Sequence, residues 1–173
     1  MLKEVRFLTI QAMIASMYVI LLWVFQFASF DIGLQFRIAE VLLILVLFSP
    51  KHAVGILIGT FLGNFMLSGY GFIDAIFGTL ASLIAILLMI PLRKLWPVAL
   101  LMPVVVNAFI VPLYVIYFFF GLDIGLFEIF TLPEFYGFAG WVALGQFTVI
   151  FVLGIPLYLA MRTNETITEN LTF

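Results

Sequence analysis

The sequence contains no cysteine and one histidine, His52. That excludes disulfides, thiolate metal sites and any multi-histidine metal cage. Charge is nearly as scarce. Asp, Glu, Lys and Arg make up 9% of the 173 residues, against roughly 25% in an ordinary soluble domain. The basic residues are scattered and the net charge is −2, so nucleic acid is not an expected partner. Gly-x-Ser-x-Gly, His-Glu-x-x-His and P-loop patterns are also absent, so neither enzyme activity nor a cofactor is expected. Without a Walker site, any ATP-driven work requires a partner subunit.

What the chain has instead is hydrocarbon: 66% of it is hydrophobic. The apolar stretches are continuous rather than alternating, which argues against a β-barrel and for helices that satisfy their own backbone. A crossing takes about 20 mainly apolar residues. The expected fold is therefore an all-α integral membrane bundle of six helices in one domain, with spans at about 7–28, 36–49, 53–67, 74–92, 95–121 and 136–161 and a polar tail at 162–173. The second and third are short, which predicts tilt, partial re-entry or shielding within the bundle. The first run is too long for a signal peptide, lacks an Ala-x-Ala site and leads into further spans, so it reads as a retained helix. No internal repeat is visible, unlike in many secondary transporters.

Basic residues set the orientation. With six crossings and the N-terminus inside, Lys3, Arg6, Lys51, Arg93, Lys94 and Arg162 lie on the cytoplasmic side, leaving Arg37 near the opposite face. The sequons at Asn164 and Asn170 then face the cytoplasm and carry no meaning. Asp31, Asp123, Glu128 and Glu134 make the outer mouth mildly negative. The 121–134 connection reads equally as a lid or a plain connector.

Arg37, Glu40 and Asp74 stand at or inside apolar spans, where each costs roughly 2.5–3.5 kcal/mol at a helix centre. Arg37 and Glu40 are three apart, on one face of a helix, and can form a structural ion pair. Asp74 starts the fourth span, either as a helix cap or as a ligand contact. Gln35, Asn64, Asn107 and Gln146 are polar in apolar surroundings, a pattern that serves helix–helix adhesion as readily as binding. Under the six-span topology Arg37, Glu40, Asn64, Asp74 and Asn107 converge in the outer half. Phe36, Tyr70, Phe72 and Trp141 supply aromatic walls there. Such a pocket suits a small planar polar ligand.

Small residues mark close approach between helices. Gly55, Gly59 and Gly63 form a smooth stripe on the third span, read as packing within the bundle. Ala12 and Ser16, with Ala15 beside them, have the same spacing on the first span. That face serves either packing or docking to another membrane subunit.

Two motifs carry a resemblance. One is Gln35-Phe36-Arg37-Ile38-Ala39-Glu40-Val41-Leu42 followed by Phe48-Ser49-Pro50-Lys51; the other is Gly59-x-x-x-Gly63-Asn64 leading to Asp74-x-x-Phe77-Gly78-Thr79-Leu80-Ala81-Ser82. Together they resemble the QueT-type queuosine-precursor transporters, substrate-binding (S) components of energy-coupling factor (ECF) transporters. Pro103-x-x-x-Asn107 and Gly154-x-Pro156-Leu157 extend the likeness more loosely. The resemblance implies a six-helix S-component of the bacterial cell membrane. Its partners would be a membrane coupling subunit, met at Ala12, Ala15 and Ser16, and two cytoplasmic ATPases. It also implies delivery by toppling in the membrane, and a 7-deazaguanine ligand such as preQ1, preQ0 or queuine. A deazaguanine offers adjacent N–H donors to a carboxylate. Its carbonyl needs a donor from Asn64, Asn107, Gln146 or Arg37. Gln146 stands where the family pattern has Glu, which favours a neutral base over the cationic preQ1. Two alternatives remain open from the residues alone: an S-component for another vitamin-like solute, and a stand-alone carrier coupled to ions through Glu40 and Asp74.

Overall fold

The computed structural model describes residues 2–30, 35–119 and 125–172. Among these there is no strand, and the helices follow the apolar runs. Helix α1 (Leu2–Val24) contains neither glycine nor proline and runs unbroken. After a short turn of helix at Gln26–Ser29 comes α2 (Ile38–Phe48), which begins as a 3-10 helix over Ile38–Ile44 and ends as one α-turn, Leu45–Phe48. Pro50 stops it, with Ser49 extended just before. Helix α3 (Ala53–Leu67) ends at the Ser68-Gly69-Tyr70 turn. Helix α4 (Gly71–Leu92) opens on Gly71 at φ 54°, a left-handed conformation in which glycine is favoured. Short pieces at Arg93–Leu95 and Trp96–Ala99 lead to α5 (Leu101–Phe119), so the fifth span starts later than 95. Helix α6 (Pro133–Phe147) passes through a π-helical segment, Thr148–Gly154, into Ile155–Thr163. Helix α7 (Glu165–Leu171) is capped by the Asn164 side chain, which accepts from Ile167 N–H at 3.1 Å.

Among the described residues, four helical stretches have the length and composition to cross a membrane: Glu4–Val24, Gly71–Ala99, Leu101–Phe118 and Pro133–Thr163. The second and third runs, expected to be short, fall below that length. Helix α3 has 15 residues and reaches about 22 Å at 1.5 Å per residue. Helix α2 reaches about 20 Å because most of it has the longer 3-10 rise. Both fall short of a hydrocarbon layer of about 30 Å. Helix α2 is enclosed by the bundle, with Ala39 through Val46 all buried. Exposed leucines, methionines, isoleucines and phenylalanines cover the outside of the other helices, a surface suited to lipid rather than water. The chain is a multi-pass helical membrane protein.

The glycine stripe of α3 seats α1. A methyl on Gly55 would lie 2.6 Å from the Gln11 carbonyl oxygen, one on Gly59 would lie 2.7 Å from Tyr18 Cβ, and one on Gly63 would lie 2.5 Å from Leu22 Cδ1. The backbones therefore meet with nothing between them, and the packing reading of the stripe holds. Ala15 belongs to this contact, since its Cα would be 3.1 Å from a Gly59 methyl. Ala12 and Ser16 point away and are exposed. Of the three residues expected on a docking face, Ala15 is therefore taken up by packing within the bundle, while Ala12 and Ser16 stay on the exposed side of α1. A helix cannot turn adjacent small residues to the same neighbour.

At the end of the bundle carrying Lys51 and Arg162, α7 folds back. Asn170 Oδ1 accepts from Arg6 Nη2 at 2.9 Å, and the Leu171 carbonyl lies 2.9 Å from His52 Nε2. Burial holds the His52 imidazole below its ordinary pKa, a shift partly opposed by that carbonyl. His52, the one histidine of the sequence, is a tether for the tail.

Replacing Gly59 with leucine should prise α1 from α3. Overpacking of this kind costs about 1–3 kcal/mol. The expected outcome is a lower midpoint in a detergent thermal-unfolding assay, whereas Gly69→Leu, where the added Cβ meets open space, should leave the midpoint near wild type.

Candidate functional site

Among the described residues, two buried carboxylates organise the interior. Asp74 lies in the first turn of α4 and is 1% exposed. Arg37 Nη2 donates to its Oδ1 at 3.2 Å, and the Tyr114 hydroxyl of α5 donates a hydrogen bond to the same oxygen. Asn64, at the end of α3, donates from Nδ2 to the Asp74 backbone carbonyl at 3.3 Å. Tyr114 is held by its ring, stacked on Phe77 of α4 with centroids 5.5 Å apart. The Arg37 guanidinium lies over the Phe30 ring at 5.9 Å, a cation–π contact.

Glu40 lies in the first turn of α2 and is likewise 1% exposed. Its Oε1 accepts from the Tyr18 hydroxyl of α1 at 2.7 Å and from the Ser82 hydroxyl of α4 at 3.4 Å, and its Oε2 accepts from Gln146 Nε2 of α6 at 3.4 Å. One short bond and two long ones leave Oε2 with spare accepting capacity. Gly145 makes the Gln146 contact possible: a Cβ there would overlap the Gln35 carbonyl, so α6 presses onto the 35–40 backbone. Directly after Gln146 the helix widens into its π-segment, a distortion common beside functional sites.

The two centres adjoin. Asp74, Gly78 and Ser82 repeat every four residues along one face of α4, and Arg37 and Glu40 run alongside. Each of α1 to α6 contributes a side chain. Arg37 and Glu40 do not pair as expected. Arg37 is the residue that opens α2: its carbonyl accepts from Glu40 N–H at 2.9 Å, but its ψ of 77° is not helical, and its side chain goes to Asp74 instead of Glu40. Nor does Asp74 cap α4: the helix begins at Gly71 after Tyr70, and the carboxylate is committed to Arg37 and Tyr114.

Other expected residues divide. Tyr70 is half-buried in the turn before α4 and packs against the small core cluster that holds Tyr114; burial first, then the nearby Asp74 charge, raise its phenol above the ordinary pKa. Phe36 is half-buried against the main core. Asn107 is buried on α5 with no partner for its Nδ2. Trp141 is 52% exposed and Phe72 points outward with Phe61 and Phe65, so neither walls the cluster. Asp31, Asp123 and the start of the 121–134 connection lie outside the described residues. Three contributors were missed: Tyr18, Ser82 and Tyr114. The i, i+4, i+8 spacing of Asp74, Gly78 and Ser82 could have revealed Ser82. A lone tyrosine in an otherwise apolar span is a weaker signal.

Several buried polar atoms in this region have no hydrogen-bond partner: Gln35 Oε1, Arg37 Nε, Asn64 Oδ1, Thr79 Oγ1 and Asn107 Nδ2. Each such group forfeits about 1–3 kcal/mol when left unmet; of these, Arg37 and Asn64 lie together beside Asp74 and leave that place poised for polar contacts. No group of three or more metal-ligating side chains occurs among the described residues. A separate apolar groove of about 400 Å³ runs beside the exposed face of α1, lined by Ile10, Met13, Met17, Leu45, Leu157 and Met161.

Residues 8–163 match the family model described as QueT transporter. No curated protein and no solved structure matches the chain significantly.

Asp74→Asn should strand Arg37 as a buried unpaired charge. Removing one partner of such a pair costs about 3–5 kcal/mol, so a marked fall in the detergent unfolding midpoint is expected. The double change Arg37→Met with Asp74→Leu should recover most of that loss; an additive loss in the double variant would show that the two side chains act independently.

Proposed function

The chain belongs to the QueT transporter family, whose role is transport of queuosine precursors, and on that premise we propose that it is the substrate-binding S-component of an ECF uptake transporter for a 7-deazaguanine. The observation that carries this reading is the pair of buried carboxylate centres assembled from all six principal helices. A bundle in lipid retains such groups at considerable cost, and polar atoms without partners lie among them. Glu40, with spare capacity at Oε2, accepts the amino N–H of a guanine-like edge. Arg37 and Asn64 offer further polar contacts, and Tyr70 and Phe36 offer aromatic surface. Gln146 donates to Glu40 and so fixes that carboxylate in place. With an amide there rather than an acid, the site favours preQ0 or queuine over the ammonium of preQ1.

Transport then proceeds with partners. The chain has no nucleotide site, so two cytoplasmic ATPases supply the work and a membrane coupling subunit transmits it. Ala12 and Ser16 on the exposed face of α1, beside the apolar groove, provide a surface smooth enough for a partner helix to approach closely. The excess of basic residues at one end supports an orientation with both termini in the cytoplasm of a bacterial cell and the carboxylate centres in the outer half of the bundle.

Purified protein titrated with 7-deazaguanines, guanine and common vitamins tests the substrate. Deazaguanines should bind most tightly. Binding of a vitamin in their stead would transfer the fold to another solute. Glu40→Gln should weaken binding by at least tenfold and Asn107→Ala by less, since Glu40 sits among three donors and Asn107 stands apart; equal, negligible effects would move the site elsewhere. Ala12→Trp should bind ligand normally yet fail in uptake with the coupling subunits and ATP. Accumulation by this chain alone, abolished by collapsing the ion gradient, would instead establish an ion-coupled carrier.

A further inference from the structure

Arg37 and Asn64 each have one polar atom in use and another left over. Arg37 spends Nη2 on Asp74, and Asn64 spends Nδ2 on the Asp74 carbonyl. The leftover atoms are opposite in kind: Arg37 Nε–H is a donor and Asn64 Oδ1 an acceptor, both without partners. Arg37 is 4% exposed and Asn64 is not exposed at all, so bulk water does not meet the need. The two side chains come together at Gly78. A methyl built there would lie 2.5 Å from Asn64 Nδ2, 3.4 Å from Arg37 Nη1 and 3.5 Å from Asp74 Oδ1. The absent side chain is what lets both polar groups lie against α4.

We propose that Arg37 Nε and Asn64 Oδ1 read a ring lactam on the ligand, with the lactam oxygen on Arg37 and the adjacent lactam N–H on Asn64, and that Gly78 is the residue which positions them. A spare donor and a spare acceptor on neighbouring side chains call for an acceptor and a donor on one ligand, and a C=O next to an N–H in a planar ring supplies that pair in one rigid unit. Because Asn64 is held from its other end by Asp74 and Arg37 by its ion pair, neither can exchange roles to suit a different edge. Exchanging the ring carbonyl for an amino group would aim a donor at the Arg37 donor. This assignment rests on the reading of the site as a deazaguanine receptor and leaves the exocyclic amine of that ligand to Glu40.

The test is a titration of purified protein with 7-cyano-7-deazaguanine and with its counterpart bearing 6-amino in place of 6-oxo. The wild type should bind the oxo form at least about 100-fold more tightly, because a site built around hydrogen bonds rejects an analogue that leaves them unmet. Asn64→Leu and Arg37→Lys, each checked for monodispersity, should weaken the oxo form about 10- to 100-fold while leaving the amino form nearly unchanged, so that discrimination collapses. Gly78→Ala should act in the same direction by displacing Asn64. Equal affinity for the two forms in the wild type would overturn the proposal, as would variants that weaken both alike. Pterin and hypoxanthine, ring lactams of other classes, separate this proposal from the reading it rests on. Binding of one of these without any deazaguanine, still lost in Asn64→Leu, would overturn the deazaguanine reading and support lactam recognition. Binding of none of the compounds would overturn both.

Discussion

A carboxylate enclosed by hydrocarbon has to find its donors within the protein, and in this bundle the donors come from different helices. Asp74 draws on the segment before α2 and on α5; Glu40 draws on α1, α4 and α6. Non-directional packing would tolerate many relative rotations of apolar cylinders in lipid, since lipid tails solvate one face as well as another. Bonds of defined geometry to two fixed acids do not. The acids thus act as registers for the bundle, and the demand that places them at its centre also makes that centre suited to a polar ligand.

Close approach of the backbones is what brings those donors into range. Tyr18 reaches Glu40 because α1 lies directly on the glycine stripe of α3, with Gly59 against Tyr18 Cβ. A larger residue at Gly59 would move the tyrosine and, through it, one corner of the Glu40 shell. Gly145 does the same for α6, bringing Gln146 to the other carboxylate oxygen. In both places the small residue sits beside the functional one, and the packing and the polar network are a single arrangement.

The 3-10 form of α2 has a comparable effect. A seven-residue 3-10 helix is longer than such segments usually run, and it keeps the buried stretch extended between Arg37 and Phe48. Arg37 stays outside the helix, free to turn toward α4, while Glu40 sits in its first turn facing α1 and α6. The 3-10 turn alone would bring positions three apart onto one face; the non-helical ψ of 77° at Arg37 is what turns its side chain away from Glu40. Their separation gives the interior one neutralised pair and one carboxylate held by neutral donors.

The sequence by itself determined that this is a helical membrane protein without cysteine chemistry, where its apolar runs lie, and which few ionisable residues stand out against them. Those follow from composition and local spacing, because hydrophobicity and charge are properties of each residue wherever it folds. Its small-residue spacing also marked α1 and α3 as surfaces of close contact. Only the tertiary structure decided who partners whom. Arg37 chose Asp74, 37 positions away, over a neighbour three positions away, and Tyr18 and Tyr114 joined the cluster from spans in which nothing local distinguished them. It likewise separated Ala15 from Ala12 and turned Trp141 outward. Hydrogen bonds between distant residues depend on how helices rotate and how closely they pack, and that is set by all the contacts of the bundle together, not by the residues flanking any one of them.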